Sequence, residues 1–160
     1  MSDSERIALE AGDVWLDSDL FSGRLRIAEV LEEPYPELSE DEAAFLDGPV
    51  EELCDMVDDW RLWRERQPPR IVWNFLREHG FFGLNIPPEY GGLGFSALGQ
   101  SAVFGKLTSR SLALSTLVVI PNSVGPAELL LEYGTDEQKA RLLPRLARGE
   151  EIPCFALTEP

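Results

Sequence analysis

The chain has 160 residues and a formal net charge of −15, from 29 acidic and 14 basic side chains. This length suffices for one domain with its own core, and an apolar fraction of 44% argues against intrinsic disorder. A surface this acidic repels nucleic acids and anionic lipids, so neither is expected as a partner. It also repels an anionic substrate unless local basic residues or another domain receive it.

Cysteine and histidine usage does not suggest a metal centre. Cys54 and Cys154 lie far apart, His79 is the one histidine, and no metal ligand is predicted. Two buried thiols are the preferred interpretation, and a disulfide stays open. The N-terminal residues lack the regions of a signal peptide, and no apolar run reaches the roughly 18 residues of a membrane span. We therefore expect a cytoplasmic protein.

Residues 1–38 are irregular and acidic, and we interpret them as an N-terminal arm. A helix is predicted from Ser39, because Ser39 and Glu42 have the spacing of a capping box. Gly48-Pro49 interrupts the following apolar pattern and predicts a kink or two abutting helices. That pattern predicts one buried face made of Leu46, Val50, Leu53, Val57 and Trp60.

The next helix is predicted from about Pro69 to His79, with Gly80 as its C-terminal stop. Its predicted buried face comprises Ile71, Val72, Phe75 and Leu76. The segment 81–96 is rich in glycine and proline and contains no GxGxxG pattern, so it predicts a tight, aromatic-packed connection.

Two longer helices are predicted beyond this connection. Ser96 can cap a helix that runs to about Ser109. The apolar segment 112–120 predicts a central helix that is buried all round and that ends or kinks at Pro121.

The last helical part contains a turn over 122–126 and a short helix that stops at Gly134. Thr135 and Gln138 form a second capping box. The helix that follows must bend or break at Pro144, because proline lacks the N–H that an interior helical position uses.

Residues 152–158 are rich in strand formers and have no evident partner strand upstream. The predicted fold of the chain is therefore all-α, with a helical domain over 39–150. The first strand of a β-domain would follow within 151–160.

Several motifs agree with one family in order and spacing. They are Pro-x-x-Tyr-Gly-Gly-x-Gly at 87–94, Gly-Thr-x-Glu-Gln-Lys at 134–139, Leu-Pro at 143–144, and Ala-Leu-Thr-Glu-Pro at 156–160. Over residues 80–160 the chain resembles the N-terminal half of an acyl-CoA dehydrogenase. The stretches 44–54 and 9–23 are most similar to the long bacterial type of fatty-acid β-oxidation (FadE type).

This resemblance implies an N-terminal helical bundle followed by a middle β-domain and a C-terminal helical domain. It implies α,β-desaturation of a medium- or long-chain fatty acyl-CoA with FAD as cofactor, and electron transfer to an electron-transfer flavoprotein. It also implies a homo-oligomer when the enzyme is complete. Relatives of this type can carry a hydrophobic N-terminal segment, so peripheral attachment to the inner membrane stays open.

The resemblance also assigns site residues. Phe155, Leu157 and Thr158 match the positions that meet the flavin edge, with the Thr hydroxyl near N5. Ile120 and Val124 match the border of the acyl pocket, although apolar residues before a turn could equally belong to an ordinary core. The catalytic base of the family would lie beyond Pro160, so no catalytic residue is assigned here.

The chain is accordingly expected to be a fragment that is inactive alone. The alternative is a non-catalytic helical interaction module derived from the same family. An in-frame or frameshifted Gly-Ser-Asp continuation of the coding sequence favours the enzyme, and a stop followed by unrelated sequence favours the module.

Overall fold

The computed structural model describes residues 15–32 and 34–154, with side chains from residue 19 onward. The chain divides into two compact units, Met1–Pro36 and Glu37–Pro160. The first unit contains helices α1 (Trp15–Ser22) and α2 (Ile27–Glu32). Every regular element in the described residues is helical, which confirms the all-α prediction for this part of the chain.

The described part of the second unit is a bundle of short and medium helices. A π-helical turn (Leu46–Val50) joins α3 to α4, and a 3₁₀ turn (Pro88–Tyr90) lies between α6 and α7. The α-helices are α3 (Glu40–Phe45), α4 (Glu51–Met56), α5 (Asp59–Glu65), α6 (Arg70–Glu78), α7 (Ala97–Arg110), α8 (Leu112–Ser123), α9 (Ala127–Tyr133) and α10 (Asp136–Ala147).

Both predicted capping boxes are present. The Ser39 N–H donates to Glu42 Oε2 at 2.9 Å, and the Glu42 N–H donates to Ser39 Oγ at 3.2 Å. Thr135 and Gln138 exchange the same pair of bonds at the start of α10, at 2.9 and 3.3 Å. Each box satisfies two of the backbone groups that a helix start leaves unpaired, so these boundaries follow from local sequence.

The interruption at Gly48-Pro49 takes the form of a π-helical turn. Pro49 lies inside this turn, and α3 and α4 abut on either side of it. A wider turn tolerates a residue without an N–H, since the regular i→i−4 pattern is already broken there. The prediction of abutting helices is therefore confirmed.

The main core lies among α3 to α8. It contains Phe45, Val50, Leu53, Val57, Leu62, Val72, Phe75, Leu76, Phe81, Phe82, Leu84, Val103, Leu107, Leu114 and Val118. A second cluster under α9 and α10 comprises Ile86, Ala127, Leu143, Leu146 and Ala147.

One residue on each of the two predicted buried helix faces is exposed. Trp60 is 65% exposed because α4 ends at Met56 and Val57 is extended, so the earlier stripe loses its register before α5. Ile71 is 64% exposed, since the buried face of α6 is the narrower set Val72, Phe75 and Leu76.

Two prolines were expected to end or bend their helices. Pro121 lies inside α8 and Pro144 inside α10, and neither ends its helix. The turn after α8 consequently starts at Val124. The prediction of burial all round is wrong for this helix as well, because Leu112 is 71% exposed.

Residues 81–96 form the aromatic-packed connection that was predicted. Phe81 contacts Phe45 with ring centroids 4.8 Å apart. The connection folds back on itself through bonds from the Phe95 N–H to Leu84 O (2.7 Å) and from the Leu93 N–H to Gly83 O (2.8 Å). These bonds and the ring contact hold the connection against the core.

Among the described residues, one helical segment, Leu112–Tyr133, is long and apolar enough to cross a membrane by length and composition. The expectation that no segment would meet this test was wrong. The core helix of a soluble protein meets the same criteria, and Leu114 and Val118 of this segment are fully buried in the bundle.

The remaining expectations concern the cysteines and the C-terminal strand. Both cysteines are free; Cys54 is buried as predicted, whereas Cys154 is exposed. Residues 152–154 show no strand, and residues 155–158 of the predicted strand lie outside the described part of the chain.

Candidate functional site

Helix α8 has two different faces. Its start is capped by Ser111, whose Oγ accepts the Leu114 N–H at 3.2 Å. Leu114 and Val118 face the core and are fully buried. On another face of the helix, Ala113, Leu117 and Ile120 recur at spacings of four and three residues, and Val124 follows four residues later at the C-cap, just after the helix. We call these four residues the α8 stripe.

The first half of the α8 stripe lines a cavity. This cavity has a volume of about 460 Å³ and lies between α8 and the connection from α5 to α6. Its lining residues are Leu62, Trp63, Arg64, Arg66, Gln67, Pro68, Ala113 and Leu117. Apolar walls with a few polar groups at the edge are typical of small-molecule sites.

Ile120 and Val124, the two predicted substrate residues, continue the stripe towards the end of α8. The Val124 N–H donates to Ile120 O at 3.2 Å, so the two residues lie one turn apart. Ile120 is half-buried and Val124 is 48% exposed. Neither side chain belongs to the described hydrophobic core, so both can contact an apolar ligand.

Asn122 fixes the end of α8 against the connection at 81–86. Its Oδ1 accepts the Leu84 N–H at 2.8 Å, and its Nδ2 donates to Phe81 O and Val118 O, both at 2.8 Å. Its backbone carbonyl accepts from Asn85 Nδ2 at 2.8 Å. Sequence reasoning placed this residue in a turn and missed its role, although a lone amide beside an apolar helix is a usable signal.

The chain returns to the end of α8 just before the predicted flavin residues. A Cβ built at Gly125 would lie 3.2 Å from Pro153 Cγ and would clash with Pro121 O. Glycine therefore lets the C-terminal segment pass beside the residue that follows Val124. Phe155, Leu157 and Thr158 lie outside the described residues, and the last residues before them reach Gly125.

The buried ionisable groups of the described part are not suited to catalysis. Hydrogen bonds from the Ser39 N–H and from Ser96 hold the pKa of Glu42 below its usual value, and both carboxylate oxygens are already occupied. Burial raises the pKa of the Cys54 thiol, which disfavours the reactive thiolate. Within residues 15–32 and 34–154, no cluster of His, Cys, Asp or Glu could hold a metal ion.

Comparison with known proteins agrees with this architecture. Residues 40–150 match the family model "Acyl-CoA dehydrogenase, N-terminal domain". The chain is 39% identical over 145 residues to probable acyl-CoA dehydrogenase FadE10 of Mycobacterium tuberculosis, covering 89% of this chain and 22% of that protein. It is 36% identical over 149 residues to the mouse mitochondrial very long-chain specific acyl-CoA dehydrogenase. This match covers 88% of this chain and 22% of that protein.

A solved structure shares the fold. The crystal structure of the prolyl acyl carrier protein oxidase AnaB superposes with a TM-score of 0.54 at 24% identity, over 72% of this chain and 32% of that one. The chain spans about a fifth of the length of the curated relatives it matches. By the extent of the family match, the chain belongs to the acyl-CoA dehydrogenase family, and residues 40–150 are its N-terminal helical domain.

Proposed function

We propose that the chain is the N-terminal portion of a FAD-dependent enzyme that desaturates medium- or long-chain fatty acyl-CoA between the α and β carbons in fatty-acid β-oxidation. One observation carries this proposal: the α8 stripe is apolar, partly open, and ends beside the segment that leads to Phe155, Leu157 and Thr158. An acyl chain lying on the stripe would be directed towards those residues.

In this proposal the chain's own residues bind and orient the acyl substrate and the flavin. Ile120 and Val124 remove part of the acyl chain from water. The hydrophobic effect contributes about 25 cal/mol of binding free energy per Å² of apolar surface that is buried. Phe155, Leu157 and Thr158 would hold the edge of the flavin. When bound, FAD supplies the hydride acceptor, and the protein supplies orientation and polarity.

The catalytic base is not assigned to any residue of this chain, so we propose that these 160 residues alone do not catalyse the reaction. The complete enzyme would be a homo-oligomer that passes electrons to an electron-transfer flavoprotein. We place the complete enzyme in the cytoplasm. Peripheral attachment to the inner membrane is the alternative location.

The decisive experiment compares exposed apolar residues on and off the stripe in the complete protein. Val124→Ser and Ile120→Ser should each raise KM for hexadecanoyl-CoA about tenfold, which corresponds to about 1.4 kcal/mol of lost apolar contact. Leu129→Ser is the matched control, because Leu129 is an exposed apolar residue of α9 outside the stripe. Equal KM values for all three variants would remove the acyl site from α8.

The second candidate is a non-catalytic helical module of the same family. It is favoured if the coding sequence stops after Pro160 and continues into unrelated sequence. A complete protein that retains no flavin and does not bleach flavin absorbance with acyl-CoA would also favour the module.

A further inference from the structure

Another cavity, of about 450 Å³, lies between α7, the end of α8, α9 and the connection at 81–96. Phe95 and Phe104 in its wall pack against the main core, whereas Leu131 packs against the second cluster. The cavity therefore occupies a gap between the two hydrophobic clusters. None of the four residues of the α8 stripe lines it, so it is distinct from the candidate acyl site.

The amide nitrogens in the cavity wall are already bonded to carbonyl groups. Asn85 Nδ2 donates to Asn122 O at 2.8 Å, and Gln100 Nε2 donates to Phe95 O at 3.1 Å. These bonds decide which end of each amide is the oxygen. The wall consequently offers the amide oxygens of Asn85 and Gln100 as hydrogen-bond acceptors.

Asn85 Oδ1 is an acceptor without a donor. In the described part of the chain it is the one buried side-chain oxygen or nitrogen atom that has no hydrogen-bond partner. An unpaired buried acceptor costs about 1–3 kcal/mol of stability, which a ligand that donates a hydrogen bond at this wall recovers. The wall therefore favours a ligand with N–H or O–H groups.

Glu128 makes the wall negative. This side chain is exposed, and it takes part in none of the ion pairs found within residues 15–32 and 34–154. Among the described residues, no lysine or arginine lines the cavity with it. The half-buried rings of Phe95 and Phe104 also attract cations to their faces. The charge of the wall thus favours a positively charged ligand.

We propose that this cavity binds a small organic cation, an ammonium group on an apolar body, of the arylalkylamine class. The ammonium group pairs with Glu128 and donates to the amide oxygens, while the apolar body packs against Phe95, Phe104 and Leu131. A neutral alcohol of the same shape donates a hydrogen bond but forms no ion pair. A carboxylate meets acceptors and a like charge. This binding goes beyond the proposed acyl-CoA function, which uses neither the cavity nor Glu128.

The test titrates the 160-residue chain with 2-phenylethylammonium chloride at constant ionic strength, by calorimetry and by the side-chain amide resonances of Asn85 and Gln100. We expect saturable 1:1 binding, a saturable shift of both resonances, and about tenfold weaker binding of 2-phenylethanol. Shifts of the backbone resonances of Ala113 and Leu117 without shifts at Asn85 and Gln100 would place the amine in the other cavity. That result would overturn the proposal.

Glu128→Gln should weaken binding of the ammonium compound about tenfold and leave the affinity for 2-phenylethanol within about twofold of the wild type. Glu132→Gln is the matched control, because Glu132 is exposed, lies one turn further along α9 and is outside the cavity. It removes the same charge and should leave both affinities within about twofold of the wild type.

Equal loss of affinity in the Glu128 and Glu132 variants would show general attraction of cations to an acidic surface, and it would overturn the proposal. Absence of saturable binding would do the same. None of these residues takes part in the KM test of Ile120 and Val124, so either proposal can fail without the other.

Discussion

Glu42 on α3 accepts a hydrogen bond from the backbone N–H of Ser96, 54 residues further along the chain, at 2.7 Å. The other oxygen of the same carboxylate accepts the Ser39 N–H. One buried carboxylate therefore joins the starts of α3 and α7, and both positive helix ends stabilise its charge. Gly99 on α7 leaves the space this carboxylate occupies, because a Cβ there would clash with Glu42 Oε1.

Glu42→Gln should lower the free energy of unfolding at pH 7 by about 1–2 kcal/mol. The glutamine amide has one acceptor oxygen, so one of the two N–H groups loses its partner and the other bond loses its charge. The difference from the wild type should depend on pH. The folded-state pKa of Glu42 lies below its usual value of 4.5, so the contribution is complete above pH 4.5 and is lost as the pH falls through the folded pKa.

Urea unfolding of both proteins between pH 7 and pH 3 measures this difference. Glu40→Gln, an exposed position in the first turn of the same helix, serves as control and should change stability far less. A wild-type advantage that persists undiminished at pH 3 would contradict the role of the charge.

Two glycines of α7 should respond in opposite directions. Gly99→Ala should destabilise the protein by about 1–3 kcal/mol, because the added methyl overlaps the Glu42 carboxylate. Gly105→Ala meets nothing within 4 Å and should stabilise it by about 0.5–1 kcal/mol through helix propensity. Thermal unfolding of the two variants side by side distinguishes packing from propensity, and effects of equal sign would refute the packing argument.

Asn122→Ala should lower the free energy of unfolding by about 2–3 kcal/mol. The substitution leaves the Leu84 N–H and the Phe81 carbonyl buried without their partner. Ser123→Ala, at the exposed neighbouring position, should be nearly neutral. For a chain of this length the Asn122 variant should melt about 4–12 °C lower, as followed by circular dichroism. A melting temperature equal to that of the Ser123 variant would show that the amide network is dispensable.

The two cysteines should differ in reactivity under native conditions. Cys154 is exposed, whereas burial raises the pKa of the Cys54 thiol and shields it from solvent. A thiol reagent at pH 8 should therefore label one cysteine quickly and the second at the rate of unfolding. Peptide mapping after brief labelling identifies the fast site, and rapid labelling of Cys54 would contradict the described packing.

Thr158→Val in the complete enzyme tests the proposed flavin contact. Loss of the hydroxyl should slow reduction of the flavin by hexadecanoyl-CoA roughly tenfold, because a buried partner near N5 is left unmatched. Thr158→Ser keeps the hydroxyl and should be milder. Stopped-flow bleaching of flavin absorbance measures both variants, and a Val variant equal to the wild type would make Thr158 an ordinary strand residue.

The helix boundaries were accessible from the sequence because caps and stops act locally. Ser39, Thr135 and Gly80 mark the helix ends, and each interacts within a few residues of itself. Pro121 and Pro144 were expected to end or bend their helices, and neither ends one. A proline weakens a helix locally, but packing along the whole helix maintained α8 and α10.

The candidate site residues were predicted from the family resemblance. The family resemblance assigned Ile120 and Val124 to the border of the acyl pocket and Phe155, Leu157 and Thr158 to the flavin edge, and these assignments stay predictions. The proximity of Pro153 to Gly125 could not be predicted from the sequence, because it depends on how the helices between these two residues pack.

The order of the helices, their caps and the family of this chain are thus properties of local sequence, since they depend on contacts over a few residues and on motifs in a fixed order. Burial and long-range bonding belong to the folded bundle. Trp60 and Ile71 are apolar yet exposed, because the packing of α5 and α6 leaves them outside the core. Glu42 and Asn122 are polar yet buried, and each has a bonding partner from a segment 54 or 38 residues away. No local pattern specifies such partners, and the packing of one helix against another decides them.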